Sequence, residues 1–131
     1  MFDINPTDAA PIWRQIEEGM RRMIALGALS PGDAVPSVRE LAQSLRVNPN
    51  TVARAYQRLT EHGVFAVRRG EGTFVADTPS QPKRAERNEV LRDGAVRYAS
   101  AAIAVGASLG DAVEELGTSY DKLTREHRRK A

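Results

Sequence analysis

A chain of 131 residues, 27% charged and 41% hydrophobic, has the material for one ordinary folded domain, or a small domain with an appendage. Its formal net charge of +2 does not argue for nucleic acid unless the charge is locally concentrated. The absence of cysteine excludes disulfides, thiolate metal sites and cysteine nucleophiles.

The opening "MFDINPTDAAP" lacks the basic-then-apolar pattern of a signal peptide. The most apolar run, "YASAAIAVGASLG" from Tyr98 to Gly110, is too short and alanine-rich to span a bilayer. A cytoplasmic protein without membrane contact is expected. From Pro11 to about Ala28, Ile12, Ile16, Met20 and Met23/Ile24 recur at helical spacing. "SPGD", Ser30 to Asp33, reads as a turn. A second helix follows: Pro36 blocks an earlier start, and Ser37 with Glu40 forms the S-x-x-E capping-box pattern. Val38, Leu41, Ala42 and Leu45 make its apolar stripe.

A third helix opens with Asn48 as N-cap and Pro49 at the first helical position, where a missing N–H costs nothing. It runs to about His62 and stops at Gly63. Only Arg46 to Asn48 separate it from the second helix, the short connection of a helix-turn-helix. Val64–Val67 and Thr73–Val75 are β-prone, and Gly70 and Gly72 between them suit a hairpin turn. Three helices and then a hairpin predict a winged helix-turn-helix over residues 1–76, with Arg68–Gly72 at the wing tip. "TPSQPKR" reads as a linker, assigned to residues 77–83.

Residues 84–131 predict two more helices. Leu91, Ala95, Tyr98, Ala102 and Val105 form one narrow seam; after a break at Gly106–Gly110, Leu109, Val113, Leu116, Tyr120 and Leu123 form another. So few large apolar groups would be unstable alone, and pairing with a second copy would bury both seams. The predicted class is therefore mainly α with a small β-hairpin: a winged helix-turn-helix followed by a C-terminal helical hairpin used for dimerisation. The residues assigned to that contact are Leu91, Ala95, Tyr98, Ala102, Leu109, Val113, Leu116, Tyr120 and Leu123.

The third helix is two-faced. At 100° per residue, Asn50, Thr51, Gln57, Arg58 and Glu61 lie within about 60° of Arg54, and Val52, Ala55, Tyr56 and Leu59 fall on the far side. A merely solvated face is the competing explanation. That explanation must also account for the short turn, the capped preceding helix and the basic wing. From Ser37 to Ala76 there are six arginines (39, 46, 54, 58, 68, 69) against Glu40, Glu61 and Glu71, a local net of +3. Arginine has the fork geometry that phosphate and guanine take. Arg39 is assigned to a DNA phosphate, against a surface ion pair with Glu40 or Glu61. Arg68 and Arg69 are assigned to the minor groove or its phosphates, against simple charge protection of an edge strand.

These residues carry a resemblance. "GALSPGDAVPSVRELAQSLRVNPNTVARAYQRLTEHGVFAVRRGEGTFVA", Gly27 to Ala76, resembles the DNA-binding domain of the GntR family of bacterial transcription regulators through "PSVRELA", "VNPNTVARAY" and "G-x-GTFV". The resemblance implies a homodimer on a short palindromic operator of double-stranded DNA, in most members a repressor. It implies DNA contact at Arg39, Pro49, Asn50, Thr51, Arg54 and Gly70. Ser37, Asn48, Arg58, Arg68 and Arg69 complete the expected interface. Some family members carry an arginine where Pro49 stands, so base reading is expected from Asn50, Thr51 and Arg54. The short C-terminal region is similar to that of the YtrA subfamily, which implies control of a transport operon, often of an ABC transporter.

No cofactor, metal or catalytic residue is expected. His62 and His127 are the only histidines and lie far apart; Ser100 and Ser108 have no histidine partner; Asp111, Glu114 and Glu115 suit a helix start. "GEG" is not followed by the Lys-Ser/Thr of a phosphate loop. The two predicted C-terminal helices offer little volume for a small-molecule effector. A winged-helix protein-interaction module is the alternative, which would require exposed apolar anchors on the third helix. A DNA-binding piece of a longer pyridoxal-phosphate-dependent regulator is a third reading, and the "HRRKA" ending after a complete helix is expected to argue against it.

Overall fold

The computed structural model describes the backbone of residues 1–130 and the side chains of residues 1–126. Helix α1 (Ile12–Ala25), α2 (Val38–Leu45), α3 (Pro49–Glu61), strands β1 (Phe65–Arg68) and β2 (Gly72–Val75), then α4 (Arg84–Ala104) and α5 (Leu109–Lys130) follow in order. The fold is a winged helix-turn-helix followed by two helices in contact with each other, as the sequence predicts. Two compact units, Met1–Ser80 and Gln81–Ala131, divide the chain.

In the first unit, α1 and α2 both pack on α3, and α3 packs on β1. Ile16 and Met20 of α1, Leu41 of α2, and Val52, Ala55 and Leu59 of α3 are essentially inaccessible, joined by Val64, Phe65 and Val75 from the wing. Tyr56 is buried edge-on to Phe65, with ring centroids 5.2 Å apart, and its hydroxyl donates to the Pro36 carbonyl at 2.6 Å. Burial, reinforced by the Glu40 carboxylate, pushes that phenol well above its ordinary pKa, so it stays a donor. The bond fixes the entry of α2 against α3.

Helix α1 ends at Ala25, three residues short of the expected Ala28, because Gly27 takes a left-handed conformation (φ 73°). The N-terminal residues, not assigned from the sequence, fold back along α1. Gln15 accepts from the Asn5 N–H and donates to the Asn5 and Ala10 carbonyls, each at 2.9–3.0 Å. The Phe2 ring lies where a Cβ on Gly19 would be, 2.7 Å away. The capping box of α2 is present in both directions, between Ser37 and Glu40. Arg46, not a glycine, turns the chain between α2 and α3 at φ 58°, a conformation that non-glycine residues rarely adopt.

Strands β1 and β2 pair antiparallel, from Phe65 opposite Val75 to Arg68 opposite Gly72. Residues 33–35, of which the sequence places only Asp33 in a turn, flank β2. The Val75 N–H donates to Asp33 O at 2.8 Å and the Val35 N–H to Thr73 O at 3.0 Å. The segment between the turn and Pro36 is too short to show a strand period. Beyond the wing, Ala76 N–H donates to Val64 O and Ser80 N–H to Gly63 O, and Arg21 reaches the Ser80 carbonyl at 3.5 Å. The winged unit thus holds the chain as far as Ser80.

In the second unit the break between helices falls at Gly106, with φ 74°, as the sequence predicts. Ser108 and Asp111 form a second reciprocal cap at the start of α5, at 3.1 and 3.3 Å. The Tyr98 hydroxyl donates to the Ala112 carbonyl at 2.7 Å and ties α4 to α5. No side chain of α4 is buried, nor any described side chain of α5. The α5 stripe lies open: Leu109 is 81%, Val113 60%, Leu116 54%, Tyr120 70% and Leu123 51% exposed. On α4, Leu91 and Ala95 are exposed while Tyr98 and Ala102 are half-buried. A second apolar face, Val96 and Ile103 one heptad apart, stands about 120° from that seam and was not singled out in the sequence, where alanines blur the period.

Candidate nucleic-acid interface

The N-terminus of α3 is built by its own first residues. The Asn48 side chain accepts from the Asn50 N–H at 2.8 Å and Pro49 occupies the first turn. The cap uses the Asn48 carbonyl oxygen and leaves its NH2 donors. Ser37 is in the same position at α2: its oxygen accepts from Glu40 N–H while its hydroxyl proton remains available. Both helix starts therefore present backbone amides and side-chain donors, the combination that takes an anionic oxygen.

On α3, Asn50, Arg54 and Gln57 are exposed and Thr51 is half-buried, while Val52, Ala55, Tyr56 and Leu59 form the packed side. Gln57 donates to Glu61 at 3.1 Å along the same face. Arg54 extends over the Trp13 ring, its Cζ 4.6 Å from the centroid. No apolar anchor of the kind a protein-docking helix needs lies among these exposed positions.

Arg58, expected among the DNA-facing residues, also has a partner within the fold, with 37% of its side chain exposed. Its Nε donates to Glu17 at 2.9 Å, and its Cζ also lies 4.6 Å from the Trp13 centroid. The Glu17 side chain is 7% exposed, so Arg58 neutralises a buried carboxylate across α1 and α3. The sequence placed Arg58 near Arg54 on the helix surface but gave no sign that a carboxylate 41 positions earlier would claim it. Glu17 and Trp13 were not singled out there; their only signal is position, on the side of α1 adjoining its apolar stripe.

Arg39 is exposed on α2 and has no hydrogen-bond or ion-pair partner among the described residues, so neither Glu40 nor Glu61 holds it. On the wing, Arg68 lies over the Phe74 ring, 4.2 Å from its centroid. Arg69 is exposed and unpaired among the described residues. Gly70 follows at φ 79°, with open space where a Cβ would point. The tip thus needs glycine for its backbone and not for want of room. Arg39, Arg54 and Arg69 are cations without a carboxylate partner among the described residues.

No group of histidine, aspartate and glutamate among the described residues is placed to hold a metal ion. His62 is exposed, and the His127 side chain lies outside the described residues. No helix among the described residues is long and apolar enough to cross a membrane.

Known proteins are similar to this chain in sequence and fold. The model of the gntR family of bacterial regulatory proteins matches residues 13–75. The HTH-type transcriptional repressor YtrA of Bacillus subtilis is 42% identical over 77 residues, which are 59% of this chain and 59% of that protein. The solved structure of YtrA from Sulfolobus acidocaldarius, described as a GntR-family transcription factor, is 31% identical, with a TM-score of 0.54 over 92% of this chain and 97% of that one. The DNA-binding domain of AraR in complex with operator ORX1 is 29% identical, with a TM-score of 0.51 over 58% of this chain and 93% of that one. The matched motifs, the winged fold and the shared identity place this chain in the gntR family of bacterial regulatory proteins.

Proposed function

We propose that the chain is a cytoplasmic DNA-binding transcriptional repressor that acts as a homodimer on a palindromic operator. The observation that carries the proposal is the free face of α3. Its capped N-terminus, Asn50 and Arg54 stand outward beside the half-buried Thr51, and in the six-arginine segment around them Arg39 and Arg69 are unpaired among the described residues. In this reading α3 enters the major groove with Asn50, Thr51 and Arg54 toward base edges. Ser37, Arg39, Asn48 and the α3 amides meet phosphate, and Arg68, Arg69 and Gly70 meet the adjacent minor groove. Arg58, held by Glu17, braces α3 against α1. The likeness to an operator-bound AraR domain supports double-stranded DNA as the partner.

The open α5 stripe supports a second copy, because exposed apolar rows of this kind mark interaction surfaces. A two-fold dimer would set two recognition helices about 34 Å apart, in successive major grooves. The likeness to YtrA supports repression, and the subfamily resemblance points to a transport operon that includes the chain's own gene. Nothing in this function calls for a catalytic group or cofactor.

Selection of duplexes from a randomised pool tests the proposal. An enriched sequence with two-fold symmetry, recurring upstream of the chain's own coding region, is expected; failure to enrich any sequence would refute it. On that duplex, Arg54→Ala should cost about 1–3 kcal/mol and relax one base preference. Arg69→Ala should instead weaken enriched and scrambled duplexes alike, and lower the slope of log K against log salt by about one. Equal affinities for wild type and Arg54→Ala, or an unaltered slope for Arg69→Ala, would contradict these assignments.

A further inference from the structure

Trp13 is the single tryptophan of the chain and sits half-buried in the first turn of α1. Two guanidinium groups of α3 meet its ring, Arg54 and Arg58, each with Cζ 4.6 Å from the centroid. The two arginines are one helical turn apart, and two cations at one ring repel unless one is compensated. Glu17, four residues after Trp13 on α1, compensates Arg58 at 2.9 Å. Arg54 has no carboxylate and no hydrogen-bond acceptor among the described residues; the ring is its sole attachment.

That attachment has a chemical consequence. A cation over an aromatic face is held through the ring quadrupole and uses no N–H group. All five guanidinium donors stay available while the long stem loses its freedom. We infer that Trp13 is a positioning residue for sequence reading: its ring holds the Arg54 guanidinium in place with its donor edge free for a base pair in the major groove. The Glu17–Arg58 pair neutralises the second arginine at the same ring, so the two cations do not drive each other off it. Helix α1 thereby contributes to operator discrimination without entering a groove. The inference rests on the proposed role of Arg54 in reading DNA.

The test uses the full chain, the duplex enriched from the randomised pool, versions of it with each base pair changed in turn, and a scrambled duplex. Trp13→Leu should weaken the enriched duplex by about 3- to 30-fold and leave the scrambled one within about twofold, since the lost contact organises only the reading arginine. Discrimination should fall at the same base pair that Arg54→Ala ceases to read. Trp13→Phe, which keeps a flat ring, should recover most of the loss. Adding Trp13→Leu to Arg54→Ala should cost nothing more. Equal losses on both duplexes, or a full further loss in the double variant, would overturn the inference. If Arg54→Ala loses discrimination and Trp13→Leu keeps it, only the role of Trp13 falls. If Arg54→Ala itself binds as wild type does, the reading of α3 falls with it. Proton NMR of the unsubstituted chain decides independently of how the variants fold. The Arg54 δ-methylene protons should be shifted upfield by the indole ring current, and random-coil positions would overturn the inference.

Discussion

Leu116→Asp is expected to convert the chain to a monomer in light scattering and to abolish tight binding to a two-fold duplex. Leu116 is the middle residue of the α5 stripe that runs from Leu109 to Leu123, and over half its surface is open. A second copy laid along that stripe would take all five side chains out of water, at roughly 1.5–3 kcal/mol for each one fully covered. A carboxylate at the centre of such a seam would be desolvated without a partner, which costs more than a leucine contact gains. The consequence for DNA is larger than the contact itself. When two recognition helices are joined, the second half-site is met intramolecularly, and avidity exceeds single-site affinity by about 10²–10⁴. The variant should keep wild-type affinity for a duplex with a single half-site, because Leu116 belongs to the second unit and the residues proposed to face DNA belong to the first. An intact dimer carrying Leu116→Asp would refute the α5 seam.

Leu59→Ala is expected to destabilise the winged unit by about 2–5 kcal/mol, the range for truncating a fully buried leucine whose neighbours cannot close the gap. Leu59 has no accessible surface, and its carbonyl accepts the Val64 N–H at 2.9 Å, so the backbone around it is pinned from both sides. A domain of this size has only about 5–15 kcal/mol in hand, so the loss is a large fraction of the total. Urea unfolding followed by Trp13 emission checks it, since the one tryptophan reports the winged unit alone. The midpoint should fall with little change in slope. A shift worth less than about 1 kcal/mol would mean that the site collapses around the smaller side chain.

Much of this architecture was legible residue by residue. Ser37 with Glu40 announced α2, Asn48 with Pro49 announced α3, Gly63 closed it, and Gly70 and Gly72 marked the wing. Each of these signals acts within one turn of chain, where a side chain bonds its own backbone or a glycine supplies a left-handed φ. The C-terminal break was legible for the same reason, at Gly106. What escaped was non-local. Residues 33–35 pair with β2 some forty positions later, and the N-terminal arm folds back along α1. Neither segment carries a period of its own.

The interface divides along the same line. The sequence by itself determined that α3 has an apolar side and an arginine-bearing side, because side-chain direction on a helix follows from spacing alone. It determined that α5 carries a continuous apolar stripe, too. Arg54 and Arg58 lie about 40° apart on one helix and are equivalent by spacing, and it is the packing of α1 on α3 that gives them different partners. The difference comes from α1: both guanidinium groups lie over Trp13, but Glu17 is buried and must be neutralised, so it takes Arg58 and leaves Arg54 without a carboxylate among the described residues. The physical reason is that a desolvated charge demands a partner wherever the fold puts it, and the identity of that partner is set by which helices are packed together and not by position along the chain.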